Sequence, residues 1–329
     1  MKAVLMKGFG GIDVLTLGEV PKPAPGDHQV LIKVMATSVN RPDLVQRDGH
    51  YPPPPGESEI LGLEVAGIIE KLGPGVTGWQ VGDRVVTLVG GGGYAQYAVA
   101  YAPHLMPIPA TMSYVEAACI CETYITAFLN IFLLGELQAG QTALLHGGGG
   151  GVNTAGIHLC RTLAPGCRII VTAAPEKMDR VKALGADLVI NFRETPDFSR
   201  MVLDFTEKKG VDVILDHVGM QYFTPNMTSL ALKGRLVCIG VISGAKGELN
   251  IALLMVKRQQ IIGSVLRSRP VAEKGEIVAA FTRRVLPKFA DRTIVPLIER
   301  IFPLDEVVEA HRMMEEDRHF GKIVLQVED

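Results

Sequence analysis

A chain of 329 residues, 47% hydrophobic and 21% charged, is long enough for two cores and excludes a disordered or fibrous protein. Its net charge of −2 gives no overall pull toward nucleic acid or an anionic membrane. Five cysteines, an odd number with no CxxC spacing, argue against a disulfide framework and for reduced thiols in the cytoplasm.

The N-terminal residues 1–8 carry too short an apolar run for a signal peptide and read as a first strand. Residues 29–39, 64–70 and 82–88 are β-branched runs broken by Gly and Pro, which predicts an irregular antiparallel β domain. Residues 40–47 allow one or two helical turns with Pro42 at an early position, and 50–56, with four consecutive prolines, form a stiff loop. From about residue 113 the period becomes helical. The longest uncharged apolar stretch, 123–135, falls short of the ~20 residues that span a bilayer and reads as a buried helix.

At Thr142 a short apolar run meets five consecutive glycines, Gly147 to Gly151, and a helical pattern then continues as far as Leu163. Strand, tight turn and helix start in this order suit a bound pyrophosphate, because the backbone can approach closely and free N–H groups point at the anion. Taken alone, the run has a second reading, a flexible loop that binds nothing. Strands at 168–173, 188–191, 211–216 and 234–240 alternate with helical segments such as 176–184. Continuous Val/Ile/Leu runs divided in this way predict a doubly wound parallel sheet with its ligand at the carboxyl ends of the strands. Val218, Gly240, Leu266 and Ser268 lie at or just beyond such ends and are expected beside the ligand. Amphipathic helices follow at 273–285 and 304–316, and the closing strand 322–327 fits the first domain better than the parallel sheet. The expected domains are 1–118, 119–265 and a return, 266–329, to the first.

Several stretches together resemble the zinc-free quinone oxidoreductases of the medium-chain dehydrogenase/reductase superfamily. They are Lys2-Ala3-Val4, 38–43, 49–52, 61–67, 81–85, 92–97, Thr126-Ala127-Phe128, the glycine run, 182–187 and 321–325. The 40–51 stretch and the Val265–Arg269 segment look closest to the p53-inducible quinone oxidoreductase branch. The resemblance implies an α/β chain with a GroES-like irregular β-barrel catalytic domain and a Rossmann cofactor domain. It also speaks against a metal: zinc-dependent relatives have a Cys where this chain has Asn40 and a His where it has Leu63, and leucine cannot ligate zinc. The family's small-residue and glycine pattern falls on Gly147, Gly150 and position 153, where this chain has Asn153. An amide there is expected to shift the first helical turn or to point into the phosphate site. Gly151 and Val152 complete the expected phosphate contact.

The strand ending at Ala173 carries no carboxylate at its tip for the ribose hydroxyls, and Lys177 follows where similar proteins bind a 2′-phosphate. NADPH is therefore the expected cofactor. Glu176 opposes a phosphate beside it, and Phe192 replaces a Tyr of many relatives. For catalysis Tyr51 is the donor candidate, a phenol on a proline-stiffened loop that stays protonated at neutral pH, with lining the pocket as its alternative role. By resemblance, Asn40 and Thr126 hydrogen-bond near nicotinamide and acceptor, while Asp43 either orients them or caps its helix.

The expected activity is NADPH-dependent reduction of a small apolar quinone. Reduction of an activated C=C bond in a 2-alkenal or enone is the alternative. A third reading, an NADPH-binding structural or RNA-binding protein, would need a concentrated basic stretch, and Lys257-Arg258, Arg267 with Arg269, and Arg283-Arg284 are short and scattered. Neither nucleic acid nor membrane is an expected partner. The resemblance implies a homodimer formed along a sheet edge, for which 236–241 is the candidate.

Overall fold

The computed structural model describes residues 1–327. Its strands are β1 (Lys2–Met6), β2 (Leu15–Glu19), β3 (Gln29–Val39), β4 (Glu64–Leu72), β5 (Arg84–Leu88), β6 (Tyr97–Tyr101) and β7 (Leu105–Pro107). They continue as β8 (Thr142–Gly148), β9 (Arg168–Ala173), β10 (Leu188–Asn191), β11 (Val211–Asp216), β12 (Leu230–Cys238), β13 (Gln260–Gly263), β14 (Ile298–Pro303) and β15 (Lys322–Gln326). The chain divides into two units, 1–125 with 266 onward, and 126–265. Residues 119–125, expected with the cofactor domain, group with the first unit.

In the first unit a sheet runs in the order β14-β15-β3-β4-β5-β7, with β6 also on β3. Its pairs are antiparallel except β14 with β15. Two register shifts between β3 and β4 bend the long β3 ribbon, as bulges do. Val30, Ile32, Val34, Val65, Ile69, Val85, Ile323 and Leu325 fill the core beneath it. The closing strand β15 pairs with β3, Ile323 opposite Val39 and Leu325 opposite Thr37, so the last strand completes a sheet begun near the N-terminus.

The second unit holds six strands in the order β10-β9-β8-β11-β12-β13, all parallel. Leu144, Ile170, Ile190, Ile214 and Leu236 are fully buried in its core, as a sheet covered on both faces requires. The chain winds outward from β8 through β9 to β10, then crosses to β11 on the other side. The strand order reverses at β8/β11, the switch point of a Rossmann sheet, and the glycine run leaves β8 there.

Two expectations are corrected. β12, containing Leu236 to Cys238, is an interior strand flanked by β11 and β13, so the edge on this side of the sheet is β13. The apolar helix is longer than its uncharged stretch. Capped by Ser113, it runs Tyr114–Leu134, which is 21 residues and long enough to cross a bilayer, and 78% of its apolar window is buried inside the protein.

Candidate active site

In the first unit, Asn40 precedes the helix Arg41–Arg47 in an extended conformation that stops β3 and starts the helix. Asp43, three residues on, accepts the Asn40 N–H at 2.8 Å, the reciprocal bond of a capped helix start. The same fully buried carboxyl also accepts Gly62 N–H at 3.0 Å and the Tyr94 hydroxyl at 2.9 Å. Burial pushes Asp43 up to about 6, and its three donors hold it back from rising further. Asp43 therefore caps its helix and brackets it to the 61–62 turn.

The Asn40 side chain faces a buried charge cluster. Its Oδ1 accepts from Lys322 Nζ at 2.6 Å and its Nδ2 donates to Glu64 Oε1 at 3.0 Å. Lys322 Nζ also donates to Glu64 Oε1 at 2.9 Å, and the Ser38 hydroxyl donates to the same oxygen. Glu64 Oε2 accepts the Glu122 N–H at 2.9 Å. Glu64 is fully buried and Lys322 is 3% exposed, so removing either partner would strand a charge away from water. Leu63, beside Glu64, is buried and apolar. Among the described residues no three His, Cys, Asp or Glu side chains cluster as a metal site.

Tyr51 sits on the proline loop, partly exposed. The Arg267 guanidinium lies 5.0 Å from its ring centroid, and Nη1 donates to the Tyr51 carbonyl at 3.1 Å. Arg267 also donates through Nε to Gly90 O at 2.9 Å and through Nη2 to Gln46 Oε1 at 2.8 Å, which holds loop, helix and arginine as one piece. Burial and then the charge of Glu122 push the Tyr51 phenol up to about 12, against the opposing pull of Arg267. The phenol is a proton donor throughout the neutral range. Leu266, buried, and Ser268, exposed, flank Arg267 in this unit, outside the parallel sheet.

In the second unit the glycine run turns as the sequence requires. Gly147 has φ +76° and Gly149 +100°, and a Cβ on Gly147 would lie 2.6 Å from His217 Nε2. Gly150 caps the helix Gly151–Leu163, and Gly151 and Val152 open its first turn. Asn153 does not disturb that turn. It folds back, donating Nδ2 to Gly147 O at 3.0 Å, while its buried Oδ1 has no partner.

β9 ends at the buried Ala173, and Lys177 in the following turn is only 7% exposed. Glu176, expected to oppose a phosphate, is answered by Arg193 through two bonds of 3.1 and 3.3 Å, and Arg193 also lies 5.9 Å from the Phe192 ring centroid. Val218 follows β11, its N–H donating to Asp216 Oδ1 at 2.7 Å, and Gly240 follows β12, with room for no side chain against His217 O. Thr126 stands on a single α-turn between the π-helical turns Cys121–Ile125 and Leu129–Leu134, its carbonyl accepting from Asn130 Nδ2 at 2.7 Å. Wide turns of this kind concentrate at functional sites.

A buried polar relay underlies the glycine run. His146 Nε2 meets Asn226 Oδ1 at 2.7 Å and Nδ1 meets Thr172 Oγ1 at 3.0 Å; Asn226 Nδ2 donates to Asp216 Oδ2 at 3.2 Å. The Asn226 amide thereby presents its oxygen to His146, which places the ring proton on Nε2. Burial holds His146 down to about 3.

The sequence reading missed Arg267, Lys322, Glu64, Glu122 and His217 as site residues. Arg267, in sequence one member of a short basic stretch, is 8% exposed and bonded to Gly90 and Tyr51. Lys257 is likewise engaged, donating to the Thr228 and Leu230 carbonyls. Arg269 pairs with Glu273.

The profile of the alcohol dehydrogenase GroES-like domain matches residues 26–110, and that of a zinc-binding dehydrogenase matches 184–325. The quinone oxidoreductase of Lama guanicoe is 32% identical over 99% of this chain and 97% of its own. Among solved structures, mycobacterial Rv1454c complexed with NADPH is 28% identical with a TM-score of 0.88, covering 99% of both chains. The CurK enoyl reductase is 26% identical with a TM-score of 0.87 and the same coverage. Sequence similarity across the whole length, joined to a GroES-like unit and a Rossmann sheet, shows that the chain belongs to the medium-chain dehydrogenase/reductase superfamily, beside its quinone oxidoreductases.

Proposed function

We propose that this oxidoreductase reduces quinones with NADPH and without zinc. The observation that carries the reading is the protonated Tyr51 phenol, clamped by Arg267, in a unit whose donor set does not fit a metal. A zinc ion needs three or four N, S or O ligands. Here Leu63 offers none, Asn40 Oδ1 and Glu64 Oε1 are occupied by the Lys322 ammonium, and Glu64 Oε2 by the Glu122 N–H. No step is derived through zinc.

The second unit fits a dinucleotide. Positive φ at Gly147 and Gly149, a helix opening at Gly151 and a buried acceptor without a partner on Asn153 make a side-chain-free, polar cradle. Gly147, Gly150, Gly151 and Val152 would hold the pyrophosphate, and Ala173, Lys177 and Phe192 the adenosine ribose end. Lys177 supports NADPH over NADH, the more so because the Glu176 charge is answered by Arg193. When bound, the nicotinamide supplies the hydride. Tyr51 would supply a proton to the acceptor oxygen and Thr126 would hydrogen-bond a reacting group, while Asn40, its amide taken by Lys322 and Glu64, would act only through that cluster.

Steady-state assays with 1,2-naphthoquinone and a 2-alkenal, each with NADPH and NADH, test the reading. The expected result is a higher kcat/KM for the quinone with NADPH. A large advantage for the alkenal would favour activated C=C reduction, the reading to which likeness to an enoyl reductase lends support.

We also propose that two copies pair along β13. Among the described residues this edge has no second partner strand, and the segment leading into it exposes Ile242, Ile251, Met255 and Val256, at 69%, 61%, 70% and 77%. A two-fold axis would place the same edge and the same apolar face opposite themselves. Sedimentation should show a dimer at micromolar concentration, and Val256→Lys a monomer.

A further inference from the structure

In the second unit the His217 imidazole packs directly on the glycine turn. A Cβ on Gly147 would lie 2.6 Å from His217 Nε2 and 2.7 Å from Cε1, so the space a side chain would need there is taken by the ring. The His217 backbone is gripped in the same way by Gly240, where a Cβ would lie 2.8 Å from the His217 carbonyl oxygen and 3.1 Å from its Cα. The Ile242 N–H donates to that oxygen at 3.3 Å. Gly147 lies at the end of β8, His217 follows β11 and Gly240 follows β12, and these three strands are neighbours in the sheet. Two glycines thus make room for one imidazole at the carboxyl ends of the strands, the ligand side of a Rossmann sheet, and the imidazole is partly exposed there.

We propose that His217 is a proton-linked contact for the dinucleotide: its imidazolium charge holds the pyrophosphate on the glycine turn, so that binding takes up a proton from solvent. The proposal rests on the reading of this turn as the pyrophosphate site. An imidazole ordinarily titrates near 6.5, and a neighbouring anion favours its charged form, so the ring gains charge within the physiological range as the cofactor binds. No covalent bond between protein and cofactor forms and no electron moves in this step.

The other titratable side chains on the elements that meet at this point do not supply such a charge. His146 on β8, held down to about 3 by burial, is neutral. Asp216 on β11 has the opposite sign, and its oxygens accept from Val218 N–H, Gly219 N–H and Asn226 Nδ2. Burial pushes Tyr222 on the helix Met220–Ser229 up to about 12 and Cys238 on β12 up to about 11, so both keep their protons. The helix Gly151–Leu163 has no acidic residue in its first turn to neutralise an imidazolium.

Two measurements on the full-length protein test this, with NADP⁺ as the probe because it binds without turnover. In imidazole NMR the His217 signal, assigned by its loss in His217→Gln or His217→Lys, should titrate about one pH unit higher in wild type when NADP⁺ is bound. A midpoint that NADP⁺ does not raise overturns the proposal. Second, calorimetry in two buffers of different ionisation heat should show uptake of about half a proton near pH 7, and the wild-type Kd should fall about fivefold from pH 8 to pH 6. His217→Gln should flatten that dependence, while the 2′-phosphate, which titrates near 6, is common to both proteins and cancels in the comparison. His217→Lys, whose charge persists, should bind tightly at both pH values. Equal pH dependence in wild type and His217→Gln overturns the linkage. Absence of binding by both NADP⁺ and NAD⁺ overturns the dinucleotide reading and the proposal with it, whereas binding without proton uptake overturns the proposal alone.

Discussion

The Arg267 guanidinium packs over the Tyr51 ring, 5.0 Å from its centroid, and also holds the Tyr51 backbone carbonyl at 3.1 Å. One side chain therefore fixes both the loop and the phenol it carries. Arg267→Lys keeps a charge but cannot reach Gly90, Gln46 and Tyr51 together, because a planar fork is replaced by a single ammonium. We expect kcat/KM to fall by about tenfold to a hundredfold, in line with about 1.5–3 kcal/mol for a lost charge-assisted bond. Steady-state kinetics at fixed pH and thermal unfolding check it; wild-type kinetics in Arg267→Lys would remove the arginine from the site.

Lys177 should set cofactor preference. Lys177→Ala is expected to weaken NADPH by about tenfold or more and to leave NADH nearly unchanged, as loss of a bond to a phosphate would. Titration of both cofactors against both proteins decides it. Arg193→Ala gives a second reading: freeing Glu176 from its bidentate partner should weaken NADPH by a smaller factor.

Asn153→Gly exchanges three small effects. Glycine inside a helix and the lost Nδ2 bond to Gly147 O each cost about 1 kcal/mol, while removing a buried acceptor without a partner recovers about 1–3 kcal/mol. We expect stability to change little and NADPH to bind as tightly or more tightly. Asn153→Asp should instead weaken NADPH strongly, because it adds a negative charge at the pyrophosphate end of the helix. Calorimetric titration of the three proteins is the check; a severe loss of affinity in Asn153→Gly would show that the Asn153 amide itself serves the cofactor.

His146 makes acid stability a test of the relay beneath the glycine run. Its folded value, held down to about 3, lies below the ordinary 6.5, so the unfolded chain binds this proton more readily. The stability it contributes is present above about pH 6.5 and declines toward pH 3, by at most about 1.4 kcal/mol per pH unit. Asp216, raised to about 6 by burial, acts in the opposite sense: its share grows as pH falls through 6 toward its ordinary value near 3.8. His146→Gln, which cannot take the proton, should therefore lose less stability than wild type between about pH 6.5 and pH 4 in urea titrations. Parallel curves would contradict the assignment.

The parallel sheet was legible because its strands are continuous Val/Ile/Leu runs, and five glycines marked the turn at the switch point. Tyr51 and Asn40 could be named because proline and helix-capping chemistry are local. The charge cluster could not be read in this way: Glu64 meets Lys322 across 258 residues of chain, and nothing near either residue announces the other. Arg267 reaches Gly90 over 177 residues, and in sequence it looks like any surface basic residue. The sheet edge was misassigned because β12 and β13 both carry apolar runs, and only the pairing tells the interior strand from the outer one.

β15 also has a consequence for the order in which the protein is made. The second unit is one uninterrupted segment, 126–265, and all six of its strands have been synthesised while residues 36–39 of β3 still lack the strand they pair with. The residues that fill that place, 322–326, leave the ribosome only after the whole of the second unit. Until then residues 36–39 of β3 present an open hydrogen-bonding edge, and the Glu64 carboxylate waits without the Lys322 ammonium.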